Sequence, residues 1–138
     1  MPSLPVLARL ALVLPVAASA APLTPAAGVC GSQAKVAPAQ RVRNTARWTT
    51  ASEENNFGYD VYRAESAKGP FVKLTKTPIL GNGTTLDTHN YEFDDDAIDP
   101  CKDYWYYVES IATDGSREKF TPVSHVPAKR HPSVPKRP

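Results

Sequence analysis

Every tryptophan, tyrosine and phenylalanine of this 138-residue chain lies between Trp48 and Phe120. Within that window apolar residues recur with a period of two, as in the runs 58–64 and 104–113, and long stretches with apolar residues three and four apart are absent. A period of two is typical of β-strands with one buried face, and aromatic residues favour strands. The window is therefore predicted to hold one β-rich core, which excludes a disordered chain or a multidomain enzyme.

Turn-forming residues divide this window into short strands. Three short sequences are typical of turns: Lys-Gly-Pro at 68–70, Gly-Asn-Gly at 81–83 and Asp-Gly at 114–115. The Asp-Gly pair also favours a two-residue hairpin. Short strands separated in this way predict an all-β fold, an immunoglobulin-like antiparallel β-sandwich of about seven strands. Six strands are predicted at 42–49, 58–64, 71–75, 91–94, 104–113 and 117–123, with a possible seventh at 35–37.

The first twenty residues have the pattern of a secretory signal peptide. Arg9 precedes the apolar run 10–18, and the small residues at 18–20 (Ala-Ser-Ala) fit a signal peptidase site, so we expect cleavage before Ala21. No other stretch has 18 consecutive apolar residues, so no transmembrane segment is predicted. The predicted localisation is secreted or periplasmic.

Two other interpretations of this N-terminus fit the sequence less well. An uncleaved membrane anchor would have to use an apolar run interrupted by Pro15, which as a helix spans about 14 Å against the roughly 30 Å of a bilayer core. A lipoprotein would be acylated at Cys30, but Val29 stands where a small residue is expected. The signal peptide is the interpretation that we adopt.

The segments on either side of the core differ from it in composition and charge. Residues 21–40 are rich in alanine and proline and are predicted to be a linker, and residues 128–138 form a basic, proline-rich tail. The domain between them, 41–127, holds ten Lys and Arg against fourteen Asp and Glu, a balance of −4 within a chain of formal charge +2. Four cations in the tail favour only weak, unspecific attraction to polyanions, and no nucleic-acid partner is predicted.

The residues of the core resemble those of a fibronectin type III module. Trp48 corresponds to a tryptophan in the second strand of that family, and the sequence Ile98-x-Pro100-x-x-x-Tyr104 is similar to its Leu-x-Pro-x-x-x-Tyr. The stretch 48–63, with Tyr91-x-Phe93-x-Asp95 and Asp114-Gly115, is similar to a subtype common in bacterial exported proteins. The resemblance implies that the tryptophan fills the space between two sheets and that the hydroxyl of Tyr104 closes a corner between strands. It implies little about function, because such modules serve as spacers, adhesion units and accessory domains.

Cys30 and Cys101 are the only cysteines, and an even number in an exported chain favours a disulfide. An intermolecular bridge and free thiols are the alternatives. In the sandwich of the resembled family the first strand starts at the pole opposite the corner that carries Cys101. An internal bridge therefore requires the N-terminal segment to approach from the Cys101 pole, because the two Cα atoms must come within about 7 Å.

Residues with catalytic or metal-binding chemistry do not form a known pattern. The acidic residues between Glu92 and Asp103 lack the spacing of a calcium loop and are interpreted as a solvated strand end, and the three histidines form no metal-spaced pair. No nucleophile elbow is present. Glu53 is interpreted as an acceptor of backbone hydrogen bonds in the loop that follows Trp48. We therefore predict no enzyme activity, no metal and no cofactor.

The candidate binding residues follow from strand alternation. If Tyr59, Val61, Tyr106 and Val108 face the core, the opposite face of the same sheet carries the aromatic residues Tyr62, Trp105 and Tyr107, and with them Ile111. Such a face suits recognition of a protein or a glycan, although neighbouring Lys and Arg stems or the proline-rich flanks are an alternative cover for the rings. The predicted function is a monomeric, non-catalytic single-module binding or adhesion protein, and the alternative is a structural spacer or surface-assembly component.

Overall fold

The structure is a computed structural model that describes residues 30–132. It is all-β, with antiparallel strands throughout and one short 3₁₀ turn at Pro38–Gln40, as predicted for the fold class. The strand count is eight rather than about seven. The strands are β1 (Asn44–Thr50), β2 (Glu53–Ala64), β3 (Val72–Lys73), β4 (Ile79–Thr85), β5 (His89–Asp95), β6 (Tyr104–Ala112), β7 (Arg117–Lys119) and β8 (Ser124–Val126).

The strands form two sheets of unequal width. The smaller sheet pairs β1 with β5, and the larger one is built on the central pair β2 and β6. The short strands β3 and β4 pair with successive parts of β2, while β7 and β8 pair with successive parts of β6. The larger sheet is therefore at most four strands wide, against two strands in the smaller sheet.

The core lies between the two sheets and is dominated by aromatic rings. Trp48 of β1 stacks on Tyr91 of β5 at 5.5 Å and meets Tyr59 of β2 edge-on at 5.4 Å. Alternate residues of β6 point into the same space, which confirms the predicted period of two. The buried core cluster comprises Trp48, Tyr59, Val61, Ile98, Tyr104, Tyr106 and Val108.

The predicted turn at 81–83 was wrong, because these residues lie within β4. A Cβ atom at Gly81 would overlap the amide of Asn56, so glycine permits β4 to approach β2 closely at this point. The backbone N–H of Asn82 then donates to the carboxylate of Glu53 at 2.8 Å. The Gly-Asn-Gly sequence thus serves close strand packing instead of chain reversal.

Two further strand predictions need correction. The predicted strand 117–123 is too long: only β7 falls within it, because the N–H groups of Phe120 and Thr121 both donate to the carbonyl of Val108 and interrupt the ladder, and β8 begins after residue 123. The possible strand at 35–37 is absent, and a turn and the 3₁₀ turn occupy this part of the chain. Pro38 stands at the start of that 3₁₀ turn and has no N–H to donate to a sheet.

The described part of the predicted linker, residues 30–40, packs against the sandwich. Gln33 is buried, and its side chain exchanges two hydrogen bonds of 2.8 Å with the backbone of Val42 and donates a third of 3.0 Å to the carbonyl of Ile98. A solvated linker was the wrong expectation for these residues. At the other end, the N–H groups of Lys129 and Arg130 donate to the carbonyl of Pro100 at 2.9 Å, so the tail begins in contact with the same corner.

The predicted signal peptide, the linker residues 21–29 and the end of the tail, 133–138, lie outside the described residues. Between residues 30 and 132 no helix is long and apolar enough to span a membrane. The predicted export of the chain therefore stays a prediction.

Candidate functional site

Tyr62 and Tyr107 meet on the outer face of the larger sheet, where strand alternation placed them. They are directly opposite each other in the register of β2 and β6, and their rings stack at 4.8 Å with an interplanar angle of 6°. Cross-strand aromatic pairs of this kind stabilise a sheet by roughly 0.2–1 kcal/mol relative to alanines. The pair is only partly buried, so it also forms part of the surface.

The ring of Tyr107 is also contacted by two further side chains. The ammonium group of Lys119, from β7 on the far side of β6, lies 4.6 Å from the ring centroid, and Phe71 packs against the ring edge-on at 5.0 Å. We call Tyr62, Phe71, Tyr107 and Lys119 the Tyr107 cluster. Because Tyr62 and Lys119 approach from opposite flanks of β6, both faces of the Tyr107 ring are occupied by this chain itself.

Trp105 lies on the same face but belongs to a separate group. Its ring stacks on the imidazole of His125 in β8 at 4.7 Å, and Nε2 of His125 is 2.8 Å from a carboxylate oxygen of Asp103. Across β2 the residue opposite Trp105 is Ala64, which has no ring to offer. The structure therefore brings two of the three predicted site residues, Tyr62 and Tyr107, into contact with each other, while Trp105 contacts His125 instead. Ile111, expected further along this face, is 5% exposed and contributes little surface.

A buried carboxylate lies beside the Tyr107 cluster. Asp60 is 0% exposed although it occupies an outward-facing position between two core residues of β2. Its oxygens accept hydrogen bonds from Thr75 at 2.6 Å and from Arg117 at 2.8 Å. Burial alone would raise the pKa of Asp60, but these hydrogen bonds and the nearby Lys73 ammonium outweigh it and hold the pKa below its ordinary value.

Arg117 joins this carboxylate to a second one. Asp60 and Glu109 are directly opposite each other on β2 and β6, a placement of like charges that by itself destabilises a sheet. The guanidinium of Arg117 donates to Glu109 at 2.7 Å as well as to Asp60, and the hydroxyl of Tyr62 donates to Glu109 at 3.2 Å. Sequence reasoning missed this network. The one signal in the sequence was the position of Asp60 within the stretch 57–62 of β2, whose other residues are glycine, valine and aromatic residues.

Glu53 is a second buried carboxylate, 7% exposed, at the start of β2. It accepts hydrogen bonds from the side chains of Thr50, Asn56 and Tyr91 and from the backbone of Asn82. Burial would raise its pKa, but the four donors together hold the pKa at about 2. The prediction of backbone hydrogen bonds in the following loop is corrected: three donors are side chains, and the backbone donor lies in β4. An ionised Glu53 has no proton to give at neutral pH.

Ion pairs occupy the acidic run near the end of β5. Three consecutive aspartates, Asp94, Asp95 and Asp96, lie 3.2, 2.8 and 3.1 Å from the guanidinium nitrogens of three different arginines. Carboxylates paired in this way have their charge neutralised by the protein. The arginines, in the same order, are Arg43, Arg63 and Arg41.

The predicted internal disulfide is present in the structure. Cys30 and Cys101 are bonded, with their Cα atoms 5.3 Å apart. The N-terminal segment therefore approaches the corner from the Cys101 pole, as an internal bridge requires. Asp99 lies beside the two sulfurs, but both sulfurs are consumed by their bond, so this group offers a metal only one carboxylate.

Two cavities of the described residues open between the strands of the sandwich. One of about 510 Å³ is at the pole that carries Glu53, where it is lined by Asn56, Tyr59, Glu118 and Phe120 among others. Another of about 310 Å³ lies between β1 and β6. Tyr107 is among the residues that line the second cavity, whereas Tyr62 and Trp105 line neither, so the three candidate residues do not share a pocket.

Comparison with known proteins gives no relative for this chain: no protein-family model, no curated protein and no solved structure matches it. The fibronectin type III resemblance therefore stays a prediction based on the residues quoted above.

Proposed function

We propose that this chain is an exported, fibronectin type III-like binding or adhesion module without catalytic activity, and that it recognises a protein through the outer face of β2 and β6. The observation that carries the proposal is the partial exposure of Tyr62, Trp105 and Tyr107 on a sheet face that no described strand covers. Aromatic side chains with a polar end are enriched in protein interfaces.

A protein is preferred to a glycan as the partner because of the way the rings are packed. A sugar ring stacks on an aromatic face, and both faces of Tyr107 are already occupied by Tyr62 and Lys119. Phe71 also packs against the ring of Tyr107, so the part of this side chain that remains available to a protein surface is its hydroxyl group. Trp105 also has one face on His125, which leaves less stacking area than an isolated indole would offer.

The proposal is tested with single variants instead of a double variant. Trp105 packs on His125 whereas Tyr107 packs on Tyr62, so each ring can be replaced without removing the contacts of the other. Trp105→Ser should weaken binding to a partner isolated from the exported proteins of the source cells by about 2 kcal/mol, as expected for a central aromatic anchor. Leu86→Ser is the matched control, since Leu86 is 92% exposed in the connection between β4 and β5. Binding that is unchanged in Trp105→Ser, or reduced equally in both variants, contradicts the proposal.

The second candidate function is a structural spacer, and the Tyr107 cluster favours it. If the rings serve only to stabilise the sheet, Tyr107→Thr should lower the free energy of unfolding by about 1–2 kcal/mol while no partner is lost. Urea titration and partner binding measured on the same preparation of Tyr107→Thr separate the two functions. A variant that keeps its stability and loses its partner supports the binding module.

A further inference from the structure

The cavity of about 510 Å³ at the pole that carries Glu53 is lined by carboxylates without cationic partners. We call it the Glu53 cavity. Glu53, Glu54 and Glu118 all line it, and none of the three forms an ion pair with another described residue. Arg117 is the one cation that the described residues contribute to this lining, and its guanidinium is already bonded to two other carboxylates. The lining therefore has an excess of negative charge.

Glu53 differs from the other two buried carboxylates of the described residues, because no cation stands beside it. Asp60 is paired with Arg117 at 2.8 Å and Asp95 with Arg63 at 2.8 Å, whereas all the donors to Glu53 are uncharged groups. Those hydrogen bonds fill the acceptor positions of the carboxylate but do not neutralise its charge. Since buried charges in proteins are normally paired, the charge of Glu53 favours a cation in the cavity next to it.

Asn56 adds a buried hydrogen-bond acceptor that has no donor. Its side chain lines the Glu53 cavity and is 9% exposed. Nδ2 donates to Glu53 at 2.9 Å, while Oδ1 is buried and has no hydrogen-bond partner among the described residues. Buried polar atoms are nearly always satisfied, and a donor held in the cavity would satisfy this one. The charge and the free acceptor thus favour the same kind of ligand, a cation that carries N–H groups.

An exposed aromatic ring lines the same cavity. Phe120 is 43% exposed, and its ring is tilted against that of Tyr59 at 5.5 Å. A cation is attracted to the face of such a ring, and a guanidinium also stacks on it because the group is planar.

An organic cation suits this lining better than a metal ion does. A metal ion needs several ligand atoms around one point, and the three carboxylates of the Glu53 cavity are not all within 4.8 Å of one another. A cation that spans them therefore has to be larger. The volume of about 510 Å³ lies within the roughly 300–1,000 Å³ of sites for small organic ligands.

We propose that the Glu53 cavity binds an alkylguanidinium cation, the group at the end of an arginine side chain. Its N–H groups donate to Oδ1 of Asn56 and to the exposed carboxylates of Glu54 and Glu118, and its plane lies against Phe120. Glu53 attracts the cation through the field of its charge, because its own acceptor positions are filled. This inference is independent of the proposed function, since none of the three candidate binding residues lines the cavity.

The probe for the test is arginine blocked at both ends, N-acetylarginine amide. Its matched control is the corresponding citrulline derivative, which has nearly the same shape without the charge. Binding is followed by NMR on the chain as its source cells produce it. We expect saturable shifts of the side-chain amide of Asn56 and of the backbone N–H of Ser116 with the arginine derivative, and none with the citrulline derivative. Added salt should weaken the binding, because it screens exposed charges.

Free arginine distinguishes the two sources of such a cation. Its α-carboxylate is repelled by the acidic lining, so tighter binding of the blocked derivative indicates an arginine side chain of a partner protein. Binding of free arginine that is equally tight or tighter indicates a small molecule as the ligand.

Two exposed carboxylates are replaced to test the charge of the lining. Glu54→Gln combined with Glu118→Gln should weaken binding of the arginine derivative about tenfold, the joint effect of two exposed ion pairs. The matched control combines Glu65→Gln with Glu92→Gln, because these exposed carboxylates do not line the cavity, and it should leave the affinity unchanged. Glu53 is kept in every variant, since its replacement also destabilises the fold.

Four results would overturn the proposal. The absence of a saturable shift with the arginine derivative means that the cavity binds no guanidinium. Equal binding of the citrulline derivative means that the positive charge is not recognised. An equal change of affinity in the two double variants means that the carboxylates of the cavity take no part. Shifts confined to residues away from the cavity mean that the cation binds elsewhere.

Discussion

The phenolic oxygen of Tyr104 accepts a hydrogen bond of 2.8 Å from the backbone N–H of Asp99, five residues earlier in the chain. The ring is buried and lies beneath the guanidinium of Arg63, whose carbon is 5.1 Å from the ring centroid. This contact closes the loop between β5 and β6, the loop that also carries Cys101. The corner therefore links the core to the segment that the disulfide attaches.

The first prediction concerns this hydrogen bond. Tyr104→Phe keeps the ring in the core but leaves the N–H of Asp99 without its acceptor, so the free energy of unfolding should fall by about 1 kcal/mol. Tyr107→Phe is the control, because the hydroxyl of Tyr107 makes no hydrogen bond with the described residues, and its change should stay within about 0.5 kcal/mol. Equal losses for both variants in urea titration would contradict the role of the corner.

The second prediction concerns pH and Glu53. The folded-state pKa of about 2 lies below the ordinary value of 4.5, so the fold prefers the ionised carboxylate. This contribution to stability is complete above about pH 4.5 and is lost as the pH falls toward 2, and at neutral pH it amounts to about 3 kcal/mol. Unfolding titrations between pH 7 and 2 should show the difference between the unsubstituted chain and Glu53→Gln shrinking over that interval.

Glu92→Gln serves as the control for this titration, because Glu92 is exposed and forms only a surface ion pair with Arg47. It should leave the pH dependence of unfolding nearly unchanged. A Glu53→Gln difference that is constant from pH 7 to 2 would mean that the lost stability comes from packing and not from the charge.

The third prediction concerns Arg117, which neutralises the buried Asp60. Arg117→Met removes the hydrogen-bonded cation and leaves two opposed carboxylates, so we expect a loss of about 2 kcal/mol of stability. Lys102→Met breaks a pair with Glu65 that is exposed on both sides, and its cost should lie between about 0 and 1 kcal/mol. Similar losses in thermal unfolding of the two variants would show that Arg117 acts as an ordinary surface cation.

The fourth prediction concerns the disulfide. Replacing Cys30 and Cys101 together by serine opens a long loop, since the two residues are 71 apart in sequence, and should destabilise the chain by about 4 kcal/mol in the loop-entropy description. The expected observation is a lower denaturation midpoint without a change in the far-UV spectrum of the folded state. Mass spectrometry under non-reducing conditions should show the unsubstituted monomer two hydrogens lighter than its reduced form. A covalent dimer would contradict the internal bridge.

The alternation of apolar and polar residues in the sequence was sufficient to predict the central strands of this protein. The alternation around Tyr59 and Val61 and around Tyr106 and Val108 identified β2 and β6 and the inward face of each, because a strand with one buried face repeats every two residues. The same alternation put Tyr62 and Tyr107 on the opposite face, where the structure has them. Composition alone also favoured a disulfide between the two cysteines.

The conformation and burial of the residues around those strands depended on contacts between residues far apart in sequence. The Gly-Asn-Gly stretch at 81–83 has the composition of a turn but lies within a strand, because only the packing of β4 on Asn56 and Glu53 determines its conformation. Gln33 has no local signal for burial, and its three backbone partners come together only when β1 meets the corner. In the same way, Asp60 is a surface residue by alternation and becomes fully buried only because Thr75 and Arg117 converge on it from other parts of the chain. Periodicity thus determined which way the strands face, while long-range hydrogen bonding decided which polar residues are buried, since a polar group is buried stably only where the fold supplies its partners.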